Sequence, residues 1–76
     1  MIDLAAFRRS AGLTQTELAA KLVVGQAQIS KIERQDDMLI STLASYLKAL
    51  GVTAALVVEV GEQTVTYDLA AGRAAR

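Results

Sequence analysis

The apolar spacing of this chain changes at Gly51, and a sequence with that switch folds as neither all helix nor all sheet. From Leu4 to Leu50 apolar residues recur at three- and four-residue intervals, the period of a buried helix face. After Gly51 the segments TAALVVEV (53–60) and QTVTYDL (63–69) are rich in β-branched residues, with alternation in the second. Gly61-Glu62 between them is the signal of a type II′ hairpin. The pattern predicts a mainly α chain: helices over 1–52, a β-hairpin over 53–70, and a tail, 71–76, with nothing to anchor it and so expected to fray. At 76 residues without proline or a low-complexity linker, all of this belongs to one domain.

Local signals place four helices. The first is expected over about 3–11, with Asp3 as N-cap and Gly12 at a left-handed stop. Thr14 and Glu17 have the T-x-x-E spacing of a capping box and open the second, which runs to about Leu22. Val23-Val24-Gly25 breaks the pattern, and Gly25 precedes a third helix over Gln26 to Arg34. Ser41 is the expected N-cap of a fourth, Thr42 to Leu50, with Leu43, Leu47 and Leu50 on one face and Gly51 just past its end.

Composition removes whole classes of chemistry. The chain has no Cys and no His, which excludes disulfide scaffolds, Cys/His zinc sites and imidazole acid–base catalysis. Its Ser and Thr residues lack an obvious base, and Asp36-Asp37 has no second acidic cluster to complete a metal site. A non-enzymatic protein without metal or cofactor is expected. No stretch reaches the roughly 20 apolar residues of a membrane span, and Asp3, Arg8 and Arg9 stand where a signal peptide carries its apolar run. These features lead to the expectation of a cytoplasmic protein. A domain this small buries only about 60–65% of the surface of its unfolded chain. With no disulfide or metal to help, a second subunit is the expected source of further burial.

Leu18 with Leu22 and Ile29 with Ile32 give two short helices facing apolar sides, with Ala19 small enough for a close crossing and Val24 in the turn. This is a helix-turn-helix pattern, although periodicity by itself also fits an ordinary helical hairpin. The residues FRRSAGLTQTELA (7–19) and GQAQISKIER (25–34) together resemble the Cro/cI-type (XRE) DNA-binding family. The following LISTLASYLKALG (39–51) is similar to the antitoxin branch of that family, the HigA- and HipB-like antitoxins. The resemblance implies a lambda-repressor-like four-helix fold and a double-stranded DNA partner. It departs from the family pattern at two places: Val23 and Gln35 occupy positions where the family often has glycine. A β-branched residue in a left-handed turn is strained by on the order of 1–2 kcal/mol, so either the local turn or the tilt of the third helix is expected to differ.

In such a motif the second helix enters the major groove with its N-terminal side chains against base edges. That makes Gln26, Ala27 and Lys31 the expected base contacts: Gln26 to adenine, Ala27 to a thymine methyl, Lys31 to guanine. Gln28 and Ser30 flank them and suit phosphates, and Lys21 and Arg34 add cations. Gln15 resembles the family's phosphate-contacting glutamine at a helix N-terminus. The resemblance also implies a structural ion pair between Arg8 and Glu33, while Arg9 is expected at the surface. Formal net charge is zero, and 15–34 holds three cations against two anions. Binding is therefore expected to rest on geometry and neutral donors.

An isolated hairpin is marginal in water, and the first strand is apolar on both faces. Leu56, Val57, Val58, Val60, Val65 and Tyr67 are therefore expected at a homodimer interface, as the resemblance to HipB-like antitoxins also implies. A two-fold pair would read an inverted-repeat operator. The expected function is a repressor that is also the antitoxin of a type II toxin–antitoxin pair. Its toxin would be a HigB/RelE-like RNase or a HipA-like kinase. The alternatives are a stand-alone phage-type repressor or a restriction–modification controller, and an interaction module without DNA binding.

Overall fold

The computed structural model describes residues 2–69 and the backbone of Arg73–Ala74. Four helices, α1 (Leu4–Ser10), α2 (Gln15–Leu22), α3 (Gln26–Arg34) and α4 (Ile40–Leu50), precede strands β1 (Ala55–Val60), β2 (Gln63–Asp68) and β3 (Arg73–Ala74). The helices enclose a core of Leu4, Leu18, Ala19, Ile29, Ile32, Leu43, Tyr46, Leu47 and Leu50, to which the hairpin adds Leu69.

The ends of the helices follow from their caps. Asp3 accepts from the Ala6 N–H at 3.0 Å, and Thr14 and Glu17 complete the reciprocal capping box at 3.1 and 2.9 Å. Gly25 precedes α3 without a side-chain bond. α1, α2 and α4 all close with the same backbone bond spanning five residues: Leu13 N–H to Arg8 O, Val24 N–H to Ala19 O, and Val52 N–H to Leu47 O. That closure needs a left-handed residue, which Gly12 and Gly51 supply without strain. In α2 the residue is Val23, at φ 57° and ψ 47° and 89% exposed. The turn is therefore regular, and the β-branched side chain is accommodated by standing in solvent rather than by deforming the backbone.

Two elements depart from expectation. α4 starts at Ile40, with Leu39 as its N-cap and Ser41 already inside the first turn. The Leu39 carbonyl accepts from the Leu43 N–H at 3.1 Å, so the turn closes through the backbone without a hydroxyl cap. The C-terminal tail is not wholly frayed: Arg73–Ala74 pairs antiparallel with Tyr67–Asp68 along the outer edge of β2, satisfying backbone groups there. The rest of that expectation, residues 71–72 and 75–76, lies outside the described residues, as does residue 70 at the end of the expected hairpin.

The sheet order is β1-β2-β3, with β1 at an edge. β1 and β2 pair from Ala55↔Asp68 to Val60↔Gln63 around Gly61-Glu62, where Gly61 has φ 60°. The Leu69 N–H donates to the Ala54 carbonyl at 3.0 Å and closes the base of the hairpin. By alternation, Leu56, Val58, Val60, Val65 and Tyr67 share one face, and Thr64 and Thr66 lie on the other with Val57. Ala54 and Tyr67 pack against the helical core, whereas Val58, Val60 and Val65 are exposed. The hairpin thus extends beyond its own helices, consistent with a molecule 43 Å long and about 20 Å wide.

Candidate nucleic-acid interface

α3 buries Ile29 and Ile32 and leaves Gln26, Ala27, Gln28, Lys31 and Arg34 exposed, with Ser30 half-buried. The expected base-reading residues therefore share one solvent-facing surface. No acidic residue lies in the first turn of α3, so nothing there opposes an approaching phosphate. Lys21 is exposed on α2. Arg34 donates from Nε to the Ser30 carbonyl at 3.2 Å, which ties part of its guanidinium to its own helix.

Behind this surface is a polar network. Arg8 Nε donates to Glu33 Oε2 at 2.7 Å and Nη2 to Oε1 at 3.4 Å, while Nη1 donates to the Leu13 carbonyl at 2.9 Å. The two side chains are 10% and 5% exposed, so the pair is shielded from water and joins α1 to the end of α3. The Tyr46 hydroxyl lies 2.7 Å from Glu33 Oε2 and 3.0 Å from the Leu4 carbonyl, sharing one proton between two acceptors. Every buried side-chain polar atom among the described residues has a partner.

Glu33 reaches outward as well. Its Oε1 accepts from Gln15 Nε2 at 3.0 Å, and Gln15 Oε1 in turn accepts from Gln26 Nε2. A continuous line of hydrogen bonds therefore runs from Arg8 through Glu33 and Gln15 to Gln26. Gln15, expected at a phosphate, is half-buried and holds the residue expected to read a base. One amide N–H of Gln26 is engaged, while its Oε1 and second N–H keep the donor–acceptor pair that matches an adenine edge.

The electrostatics keep the network charged at neutral pH. Burial works to raise the Glu33 carboxyl, but hydrogen bonds from Arg8, Gln15 and Tyr46 outweigh it and hold the group below the usual carboxylate range. The bond to Glu33 raises the Arg8 guanidinium against the opposing effect of desolvation. Burial first, and the bond to Glu33 second, raise the Tyr46 phenol well above its ordinary value. Glu17 is lowered by the Thr14 backbone N–H it accepts in the capping box.

Tyr46 was not picked out from sequence as a member of this network. Its signal is a phenol on the buried Leu43-Leu47-Leu50 face, since a buried tyrosine hydroxyl needs a polar partner. The sequence does not say which partner, because Tyr46 and Leu4 are 42 residues apart.

A bundle of this form, with an exposed helix aimed by a buried ion pair, is a helix-turn-helix domain. The chain belongs to the helix-turn-helix family of Cro/cI (XRE) type, whose profile matches residues 4–57. It is similar to a solved structure of DNA-bound antitoxin HigA3, at 38% identity and a TM-score of 0.79 over 87% of this chain and 88% of that one. A second structure, of a HigA antitoxin whose unique dimerization induces DNA bending, is 38% identical with a TM-score of 0.76 over the same shares. No curated protein sequence matches the chain. No helix among the described residues is long and apolar enough to cross a membrane.

Proposed function

We propose that this protein is a sequence-specific DNA-binding repressor and the antitoxin of a type II toxin–antitoxin pair, acting as a homodimer on an inverted-repeat operator. The observation that carries the reading is the exposed Gln26 amide, held by Gln15 against the buried Arg8–Glu33 pair. The bond to half-buried Gln15 restrains that side chain before DNA arrives, which lowers the conformational entropy lost on binding. Ala27 and Lys31 extend the same surface along the groove. Gln15 with the α2 N-terminus, Gln28, Ser30, Lys21 and Arg34 supply the phosphate contacts. The HigA relatives support DNA binding, dimerization and the antitoxin role together.

The dimer forms through the hairpin, where Leu56, Val57, Val58, Val60 and Val65 are exposed on β1, at the edge of the sheet among the described residues, and on its neighbour. Tyr67, half-buried against its own core, borders that surface. An edge strand free of proline and carrying a single charge, Glu59, is a template for another strand. Two-fold pairing presents two α3 helices to half-sites about 34–36 Å apart. The toxin is a small RNase of the HigB/RelE kind or a kinase of the HipA kind, encoded beside the antitoxin.

Fluorescence anisotropy with DNA from upstream of the protein's own gene tests the repressor reading. Tight binding to an inverted repeat, competed poorly by random duplex, is the expected result; equal affinity for both would overturn it. Co-purification with the neighbouring gene product tests the antitoxin role, and a neighbour that never associates would leave a stand-alone repressor.

A further inference from the structure

At the base of β1 lies an apolar groove of about 410 Å³, floored by Leu43 and Leu47 and walled by Ile2, Phe7, Val52 and Leu69. Its other lining includes Thr53, Ala54 and Ala55. Ala55 is the first residue of β1, so the groove reaches the base of the edge strand. Ile2 and Phe7 are each about half exposed.

Area shows that edge pairing cannot be the whole of a dimer. A six-residue strand is about 20 Å long and its edge covers a strip about 10 Å wide, roughly 200 Å² per copy, against about 800 Å² in a stable interface. Further apolar surface must be covered, and the groove and the outer part of the hairpin face at Val58, Val60 and Val65 are the exposed apolar surfaces that adjoin the sheet's ends.

Symmetry brings them together. Two copies of β1 paired antiparallel are related by a two-fold axis perpendicular to the sheet, which leaves both apolar faces on the same side. Paired about Val58 at the two-fold axis, the strands set Leu56 opposite Val60 of the partner subunit, both on the apolar face. The tip of each hairpin then lies beside the base of the other, over the other's helices, with its apolar face turned toward them.

We infer that this groove receives the hairpin tip of a second copy of the chain, with Val58, Val60 and Val65 of the partner subunit seated against Ile2, Phe7 and Val52. The inference rests on the dimer reading of β1 and adds to it a second, reciprocal contact between hairpin and helices. It also gives Phe7 and Ile2, exposed on the N-terminal side of the domain, a place in the interface.

Because the chain has no cysteine, introduced thiols report this contact alone. Phe7→Cys and Val60→Cys proteins, mixed and mildly oxidised, should form the crossed disulfide at least tenfold over either like-with-like product. In parallel, Phe7→Asp should weaken self-association at least tenfold in sedimentation equilibrium with helical circular dichroism unchanged. Wild-type protein that sediments as a monomer at micromolar concentration would overturn the dimer reading and this inference with it. A wild-type dimer with no excess of crossed disulfide, and with Phe7→Asp self-associating normally, would overturn the groove contact alone.

Discussion

Gln26 of α3 donates its side-chain amide to Gln15 of α2, so the residue at the start of the exposed helix is aimed by a residue on a different helix. Gln15 is fixed by its bond to Glu33, whose other oxygen is held by Arg8 and Tyr46. The exposed surface and the folded core are thus mechanically one unit.

The first prediction concerns that pair. Gln26→Ala should cost about 1–3 kcal/mol on the cognate operator and little on random DNA, the signature of a base contact. Gln15→Ala removes both the proposed phosphate donor and the support of Gln26. In a double-mutant cycle the two losses should be non-additive, with a coupling of about 0.5–3 kcal/mol. Additive losses measured by anisotropy would mean that Gln15 does not orient Gln26 in the complex.

The ion pair supplies the second. Arg8→Ala strands the Glu33 carboxylate in a nearly closed site and frees the Leu13 carbonyl, with an expected cost of about 3–5 kcal/mol. Replacing both partners, Arg8→Met with Glu33→Leu, should cost less than Arg8→Ala because no unpaired charge remains. Urea midpoints of the three proteins decide the point. Glu33 is expected to matter twice, since the double replacement also removes the acceptor for Gln15 and should weaken operator recognition.

Acid stability provides the third. Glu33 and Glu17 both titrate below their ordinary value of 4.5 in the folded chain. As pH falls beneath about 4.5 the unfolded chain takes up protons that the folded chain still refuses. Their contribution is therefore complete above that pH and is lost as pH drops through the lower folded values. Tyr46 works in the opposite direction, because its raised phenol keeps its proton above pH 10, where the unfolded chain gives its own up. The urea midpoint should be flat between pH 5 and 9 and fall on both sides; a midpoint unchanged down to pH 3 would contradict a charged Glu33 in the core.

Much of the scaffold was legible because its signals are local. A capping box, a glycine past a helix end and a glycine in a two-residue hairpin loop each act within a few residues, and Thr14–Glu17, Gly12, Gly51 and Gly61 all adopt the conformations their spacing implies. The Arg8–Glu33 pair was legible only through family resemblance, because 25 residues separate the partners. The partners of Tyr46 and the Gln15–Gln26 link were not legible. Each depends on which helix faces which, and composition leaves a surface glutamine indistinguishable from a positioned one. The start of α4 was misplaced because a backbone-only cap leaves no side-chain signature at Leu39.

The last prediction follows from the three helices that close alike. α1 and α4 place glycine at the left-handed position, and α2 places Val23 there. A non-glycine residue in that conformation carries about 1–2 kcal/mol of strain, against roughly 0.5–1 kcal/mol of extra chain entropy that a glycine loses on folding. The Val23 side chain is almost fully exposed, so little packing offsets the difference. Val23→Gly should therefore stabilise the domain by up to about 1 kcal/mol, or roughly 4–8 °C in Tm for a domain of this size. Operator affinity should stay within a factor of two, because Val23 already holds the turn in the conformation glycine would adopt. A fall in Tm would show that the exposed valine is held by a contact outside this single chain, and the dimer would be the place to look for it.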